Sequence, residues 1–81
     1  MDGQALRRRY IETMLEKIDD TMFPSNDLLD RLEATLVNED ELAEYGEILV
    51  KKVEDTKFPS TDLLRRLEAI VSRFATDNGS S

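Results

Sequence analysis

At 81 residues, with 18 acidic against 11 basic side chains, the chain carries a net charge of −7, which opposes long-range attraction to DNA or anionic lipid. It contains no cysteine and no histidine, which excludes disulfide frameworks, thiolate or imidazole metal sites, histidine general bases and Ser-His or Cys-His nucleophile pairs. An apolar fraction of 40% and a charged fraction of 36% suit a helical protein of one small domain, 1–81, whose modest core leaves room for help from a second copy or a partner.

The chain opens on Arg7-Arg8-Arg9 with no apolar run behind it of the kind a signal peptide needs, and nowhere do about 18 apolar residues run together. A cytoplasmic protein with no membrane partner is expected. The first helix is predicted from near Gln4 to about Met22, because Tyr10, Met14 and Ile18 recur every four residues with Ile11 and Leu15 beside them. Pro24 ends it by pushing Phe23 out of the α region. The Phe23 ring is expected to fold under the turn and seal it.

Ser25 is the N-cap of the second helix, and Asp27 puts negative charge where the helix dipole favours it and pairs with Arg31 at i,i+4. Leu28, Leu29, Leu32 and Leu36 form the buried stripe of that helix. The stretch Asn38-Glu39-Asp40-Glu41 holds no proline or glycine, so one continuous helix from about Asn26 to Thr56 is the alternative to a break. The apolar stripe lapses there, and Asn38 followed by Glu41 resembles a capping box, so a new helix is expected to open at this point.

The third helix runs to about Thr56 on Leu42, Tyr45, Leu49, Val50 and Val53. Gly46 inside it costs roughly 1 kcal/mol against alanine, tolerable where another backbone passes close. Ile48 falls far round the helix from this stripe and is the expected exposed aliphatic. From the Ser60 cap the fourth helix continues on Leu63, Leu64, Leu67, Ile70, Val71 and Phe74, and residues 76–81 form a polar tail expected to be mobile.

The two halves are one unit written twice: Tyr10 to Leu36 laid over Tyr45 to Val71 without a gap gives 15 identities in 27 positions at a spacing of 35 residues. The fold class expected is all-α, four helices arranged as two duplicated αα-hairpins, 4–37 and 39–75. Each has Phe-Pro-Ser at its bend, and the two pack face to face into a small bundle with an approximate internal twofold. Tetratricopeptide and pentatricopeptide repeats share the period, but their large-small residue pattern is absent and proline here marks the bend inside each unit.

Few side chains point to chemistry. Asp19-Asp20 and Glu54-Asp55 are paired acids at helix ends beside Lys17 and Lys52, without EF-hand spacing, and read as helix-end charges rather than a metal site. Tyr10 and Tyr45, and Met14 and Met22, read as core residues. No catalytic, cofactor-binding or metal-binding residues are assigned, and no cofactor is expected. Arg7, Arg8 and Arg9 make one basic cluster and Arg65, Arg66 and Arg73 another, with Asp62 set to pair with Arg66.

Tyr10, Leu15, Lys17 and Ile18 before Phe23-Pro24-Ser25, repeated as Tyr45, Val50, Lys52 and Val53 before Phe58-Pro59-Ser60, resemble small actinobacterial proteins of unassigned function. In them a tyrosine-led helix and an aromatic-Pro-Ser bend occur twice in a short chain. The resemblance implies the architecture and no activity.

The function expected is therefore a non-enzymatic protein-protein interaction or adaptor module with a protein partner and a homodimer as one form. Its contact surface is expected on the last two helices at Ile48, Arg65, Arg66 and Arg73. The alternative is a nucleic-acid-associated regulator, binding DNA through the arginine clusters or presenting its carboxylates as a DNA mimic.

Overall fold

The structure is a computed structural model that describes residues 2–79, with side chains through Phe74. Among the described residues it is all-helical: α1 (Gly3–Asp20), α2 (Asn26–Thr35), α3 (Glu39–Asp55) and α4 (Thr61–Gly79). The helix starts are set by local side chains. Asp2, Ser25, Asn38 and Ser60 each accept a backbone N–H three residues on, from Ala5 at 2.7 Å, Leu28 at 3.2 Å, Glu41 at 2.8 Å and Leu63 at 3.0 Å. Each such cap contributes about 1 kcal/mol.

The break between α2 and α3 is present: Leu36 is extended at φ −73 and ψ 124, and Asn38 opens the next helix. Two ends differ from expectation. α1 stops at Asp20, because Thr21 turns extended and its hydroxyl donates to the Lys17 carbonyl at 2.7 Å. α4 continues to Gly79 through residues expected to belong to the tail, while Ser80 and Ser81 lie outside the described residues.

The core gathers Ile11, Met14, Leu15 and Ile18 of α1, Leu29 and Leu32 of α2, Leu36, then Leu42, Tyr45 and Leu49 of α3. Among its described side chains α4 adds only Ile70 to the buried set, and Leu63, Leu67 and Phe74 pack on it half-buried. Ile48 also packs against this core instead of standing exposed. Ile48 stands in line with Glu41, Tyr45 and Lys52 at helical spacing, on the side of α3 that meets α1 and α2.

α1 packs on α2, α3 packs on α4, and α1 lies beside α3, whereas among the described residues α2 and α4 share no close backbone contact. The result is a slab with Cα extents of 41 × 37 × 17 Å. α1 and α3 run parallel: Arg7 and Arg8 near the start of α1 meet Glu41 near the start of α3, and the carbonyls of Asp19 and Thr21 meet Lys52 near its end.

The internal twofold expected from the duplication is not found. Lys52 reaches the end of α1, but its counterpart Lys17 makes no return bond to the end of α3 among the described residues. Likewise Arg8 holds Glu41, while their counterparts Ala43 and Leu6 are both exposed. α1 therefore offers one face to α3, and α3 answers with a different one.

Gly46 lies where α3 meets α4. A Cβ there would stand 3.3 Å from Ile70 Cγ2, so the close neighbour is a side chain rather than a backbone.

Candidate functional site

The four residues expected to form a contact surface do not converge. Ile48 is half-buried in the core and Arg66 is spoken for, its guanidinium lying 2.7 Å from Asp30, 2.8 Å from Glu33 and 2.6 Å from Asp62 with the side chain 11% exposed. Burial pulls the Arg66 pKa down, but bonds to Asp62, Glu33 and Asp30 outweigh it and hold the group above its ordinary range. Arg65 and Arg73 are exposed and make no ion pair among the described residues.

Arg66 is instead a clasp. It links α4 to α2, and Glu33 on the same clasp accepts the Tyr45 hydroxyl at 2.5 Å. Tyr45 is fully buried, and burial followed by the bond to Glu33 pushes its phenol well above the ordinary tyrosine value. Tyr10, its counterpart, is 41% exposed and outside the core.

A second polar clasp joins α1 to α3. Glu41 is 3% exposed and accepts from Arg7 at 3.0 Å and Arg8 at 3.1 Å; Arg7 also donates to the Thr35 carbonyl at 3.0 Å. Burial pushes the Glu41 carboxyl up, but hydrogen bonds from the two arginines outweigh it and hold it below the usual carboxylate range. With Arg7, Arg8 and Arg66 engaged by carboxylates, neither basic cluster offers three free guanidiniums to a phosphate backbone. Among the described residues no group of three or more Asp or Glu gathers around a point where a cation would sit.

The two most exposed large apolar side chains among the described residues, Phe23 and Phe58, lie elsewhere, at the two bends. Lys52, buried, donates to the carbonyls of Asp19 at 3.1 Å and Thr21 at 2.6 Å, which pins the first bend against the end of α3 and puts a cation at the C-terminus of α1. The second bend follows α3 directly: Thr56 turns extended at φ −107 and ψ 125, close to Thr21 at φ −101 and ψ 120.

Between the bends lies a cleft of 270 Å³ walled by Met22, Phe23, Pro24, Phe58 and Pro59 and floored by Leu29 and Leu63. Phe23 is 76% exposed, Phe58 83% and Met22 67%. The expectation that Phe23 seals its turn from beneath is therefore corrected, and so is a core role for Met22. Proline biases the backbone of the residue before it to an extended form without fixing its ring, and here both rings stand in solvent. Lys57 sits over the Phe58 ring, 5.9 Å from its centroid, within reach of a modest cation–π attraction.

Sequence reasoning missed Glu41 and Lys52 as buried polar residues. A signal existed for the first: 35 residues earlier the counterpart of Glu41 is Leu6, and an acid replacing an aliphatic across a repeat points to a partner gained. No metal-ligand set emerges among the described residues, and among them no helix is long and apolar enough to cross a membrane. No protein-family model matches this chain, and neither the curated proteins nor the solved structures contain a match to it.

Proposed function

We propose that this chain is a non-enzymatic protein-interaction module made of two duplicated helical hairpins, and that its partner surface is the cleft where the two Phe-Pro-Ser bends meet. The observation that carries this reading is the exposure of Phe23 and Phe58, at 76% and 83%, from equivalent positions on the two sides of one cleft. Large aromatic rings held in water lose free energy that burial against a partner recovers, roughly 25 cal/mol per Å² of apolar area. Two rings on rigid bends are also low-entropy anchors of the kind that dominate interfaces. The partner that fits is an apolar segment of another protein, its hydrophobic side chains entering between the rings. Arg65 and Arg73 on α4, exposed and without an ion pair among the described residues, can meet acidic groups outside that core.

The test is photo-crosslinking from position 58, with position 51 as an exposed control away from the cleft, followed by titration of the purified adduct partner. The Phe23→Ser, Phe58→Ser double variant should bind it at least about tenfold more weakly while keeping its helix content. Equal affinity in the double variant would refute the reading.

A further inference from the structure

A second apolar surface lies between α3 and α4. Ala43, Gly46, Val50, Leu67, Val71 and Phe74 wall a groove of 250 Å³ with Glu47 at its rim. Val50 and Val71 are 38% and 55% exposed, so the groove opens to solvent. Thirty-five residues earlier, the counterparts of four of these residues are Ile11, Leu15, Leu32 and Leu36, at 0%, 5%, 0% and 6% exposure. What lies over that first groove is α3: Glu41 meets Arg8 on α1, Tyr45 meets Glu33 on α2, and Lys52 meets the end of α1. The molecule thus displays the kind of element that fills such a groove, a tyrosine-led helix lying parallel to the hairpin's first helix.

One such helix face is left without a partner. On α1 the counterparts of Glu41, Tyr45 and Lys52 are Leu6 at 60% exposure, Tyr10 at 41%, and Lys17, also exposed. We infer that a second copy of this chain occupies the groove. The α1 face of one molecule seats between α3 and α4 of the next, as α3 seats on α1 and α2 within the chain.

The residue differences between the halves fit this outer joint. Inside the chain the joint is ionic, with Arg7 and Arg8 on Glu41. At the outer joint the counterparts of Arg8 and Glu41 are Ala43 and Leu6, while Leu42, the counterpart of Arg7, is already buried in the core, so both sides have become apolar together. Glu68, the counterpart of Glu33, is exposed and makes no bond among the described residues, which leaves it open to the Tyr10 hydroxyl. Lys17 matches Lys52, and the carbonyls of Glu54 and Thr56 match those of Asp19 and Thr21. Two rim pairs oppose the fit: Glu16 meets Glu54 where Lys51 meets Asp19, and Arg31 meets Arg65 where Arg66 meets Asp30. Both are exposed, so they weaken the contact without blocking it, and salt lessens them.

Groove and helix face are different surfaces, so the contact is heterologous and does not close at two molecules. It also leaves the cleft between the bends free, and so stands apart from the partner reading above.

The test is sedimentation equilibrium from about 10 μM to about 1 mM, with helix content followed by circular dichroism. Wild type should gain mass beyond a dimer as concentration rises. Leu6→Glu and Val71→Glu each place a charge in the apolar seam and should weaken association by roughly tenfold or more. Mixed, they should form a one-to-one dimer, because Val71→Glu keeps the α1 face and Leu6→Glu keeps the groove. Phe23→Ser, Phe58→Ser should assemble as wild type does. Wild type that stays monomeric throughout, association indifferent to both glutamates, or a mixture that fails to form the dimer would each overturn the inference. Should a glutamate variant lose helix, Leu6→Ser and Val71→Ser read the same joint.

Discussion

Lys17 and Lys52 occupy the same place in the two halves, one turn from the end of α1 and of α3, yet among the described residues only the Lys52 ammonium makes hydrogen bonds. Lys52→Met and Lys17→Met therefore test the non-reciprocal packing directly. Methionine keeps the apolar stem that a lysine buries, so the change is confined to the ammonium head. Lys52 gives two charge-assisted bonds to carbonyls of Asp19 and Thr21. Each such bond contributes roughly 1.5–3 kcal/mol, while carbonyls on exposed residues regain water when it is lost.

A cation at a helix C-terminus adds a further 0.3–1 kcal/mol or so. Lys52→Met should thus cost about 3 kcal/mol or more, at least about 12 °C in melting temperature for a domain of this size. Lys17→Met, on an exposed side chain, should stay within about 0.5 kcal/mol of wild type. The assay is urea and thermal unfolding followed by circular dichroism at about 5 μM, a concentration chosen to keep the chain monomeric. Equal losses in the two variants would mean that the halves pack through the same face, and the non-reciprocal arrangement would be wrong.

Two predictions concern pH. Because Arg7 and Arg8 hold the Glu41 carboxyl below its ordinary range, its contribution to stability is full above about pH 4.3 and drains away as pH falls through the folded value. The gap in urea midpoint between wild type and Glu41→Gln should therefore shrink from neutral pH toward about pH 3, and a gap that stays constant would contradict the assignment. Tyr45 is shifted the other way: burial and Glu33 favour its neutral phenol, so its contribution is full below about pH 10 and is lost as pH rises beyond that. In a Tyr10→Phe background, tyrosinate absorbance should appear only together with loss of helix signal. Ionisation that precedes unfolding would show that the hydroxyl is not held.

The parts of the fold that follow from neighbouring residues were legible in the sequence. Ser25, Asn38 and Ser60 each cap a helix by a bond three residues long, and Asp27 with Arg31 pair across one turn at 2.8 Å; such contacts need no knowledge of the rest of the molecule. What depends on distant partners was not legible. Leu42, Tyr45 and Leu49 mark α3 as apolar, but Gly46 and Val53 widen that surface, and periodicity does not say which side receives α1 and which receives α4. Ile48 lies in line with Glu41, Tyr45 and Lys52, and the two charged residues of that line hid a face that packs on α1 and α2. Proline set the backbone at Phe23 and Phe58 without fixing the direction of the rings, and a rule about sealing turns chose the wrong one. Glu41 is buried because two arginines more than 30 residues away come to it. Composition made Glu41 one acid among 18.

The difference between the two joints has a physical logic. A joint within one chain forms with every folding event, so an ionic contact such as Arg7 and Arg8 on Glu41 can set register there, with the covalent link already limiting the entropy of bringing the parts together. A joint between chains carries the full loss of translational and rotational freedom, several kcal/mol at least, before any contact counts. Desolvating an ion pair at such a joint consumes much of what the pair returns, whereas apolar side chains against an open groove gain from burial alone. Leu6 opposite Ala43, where the internal joint has Glu41 opposite Arg8, is the substitution that this balance selects when a hairpin's docking face must work without a tether.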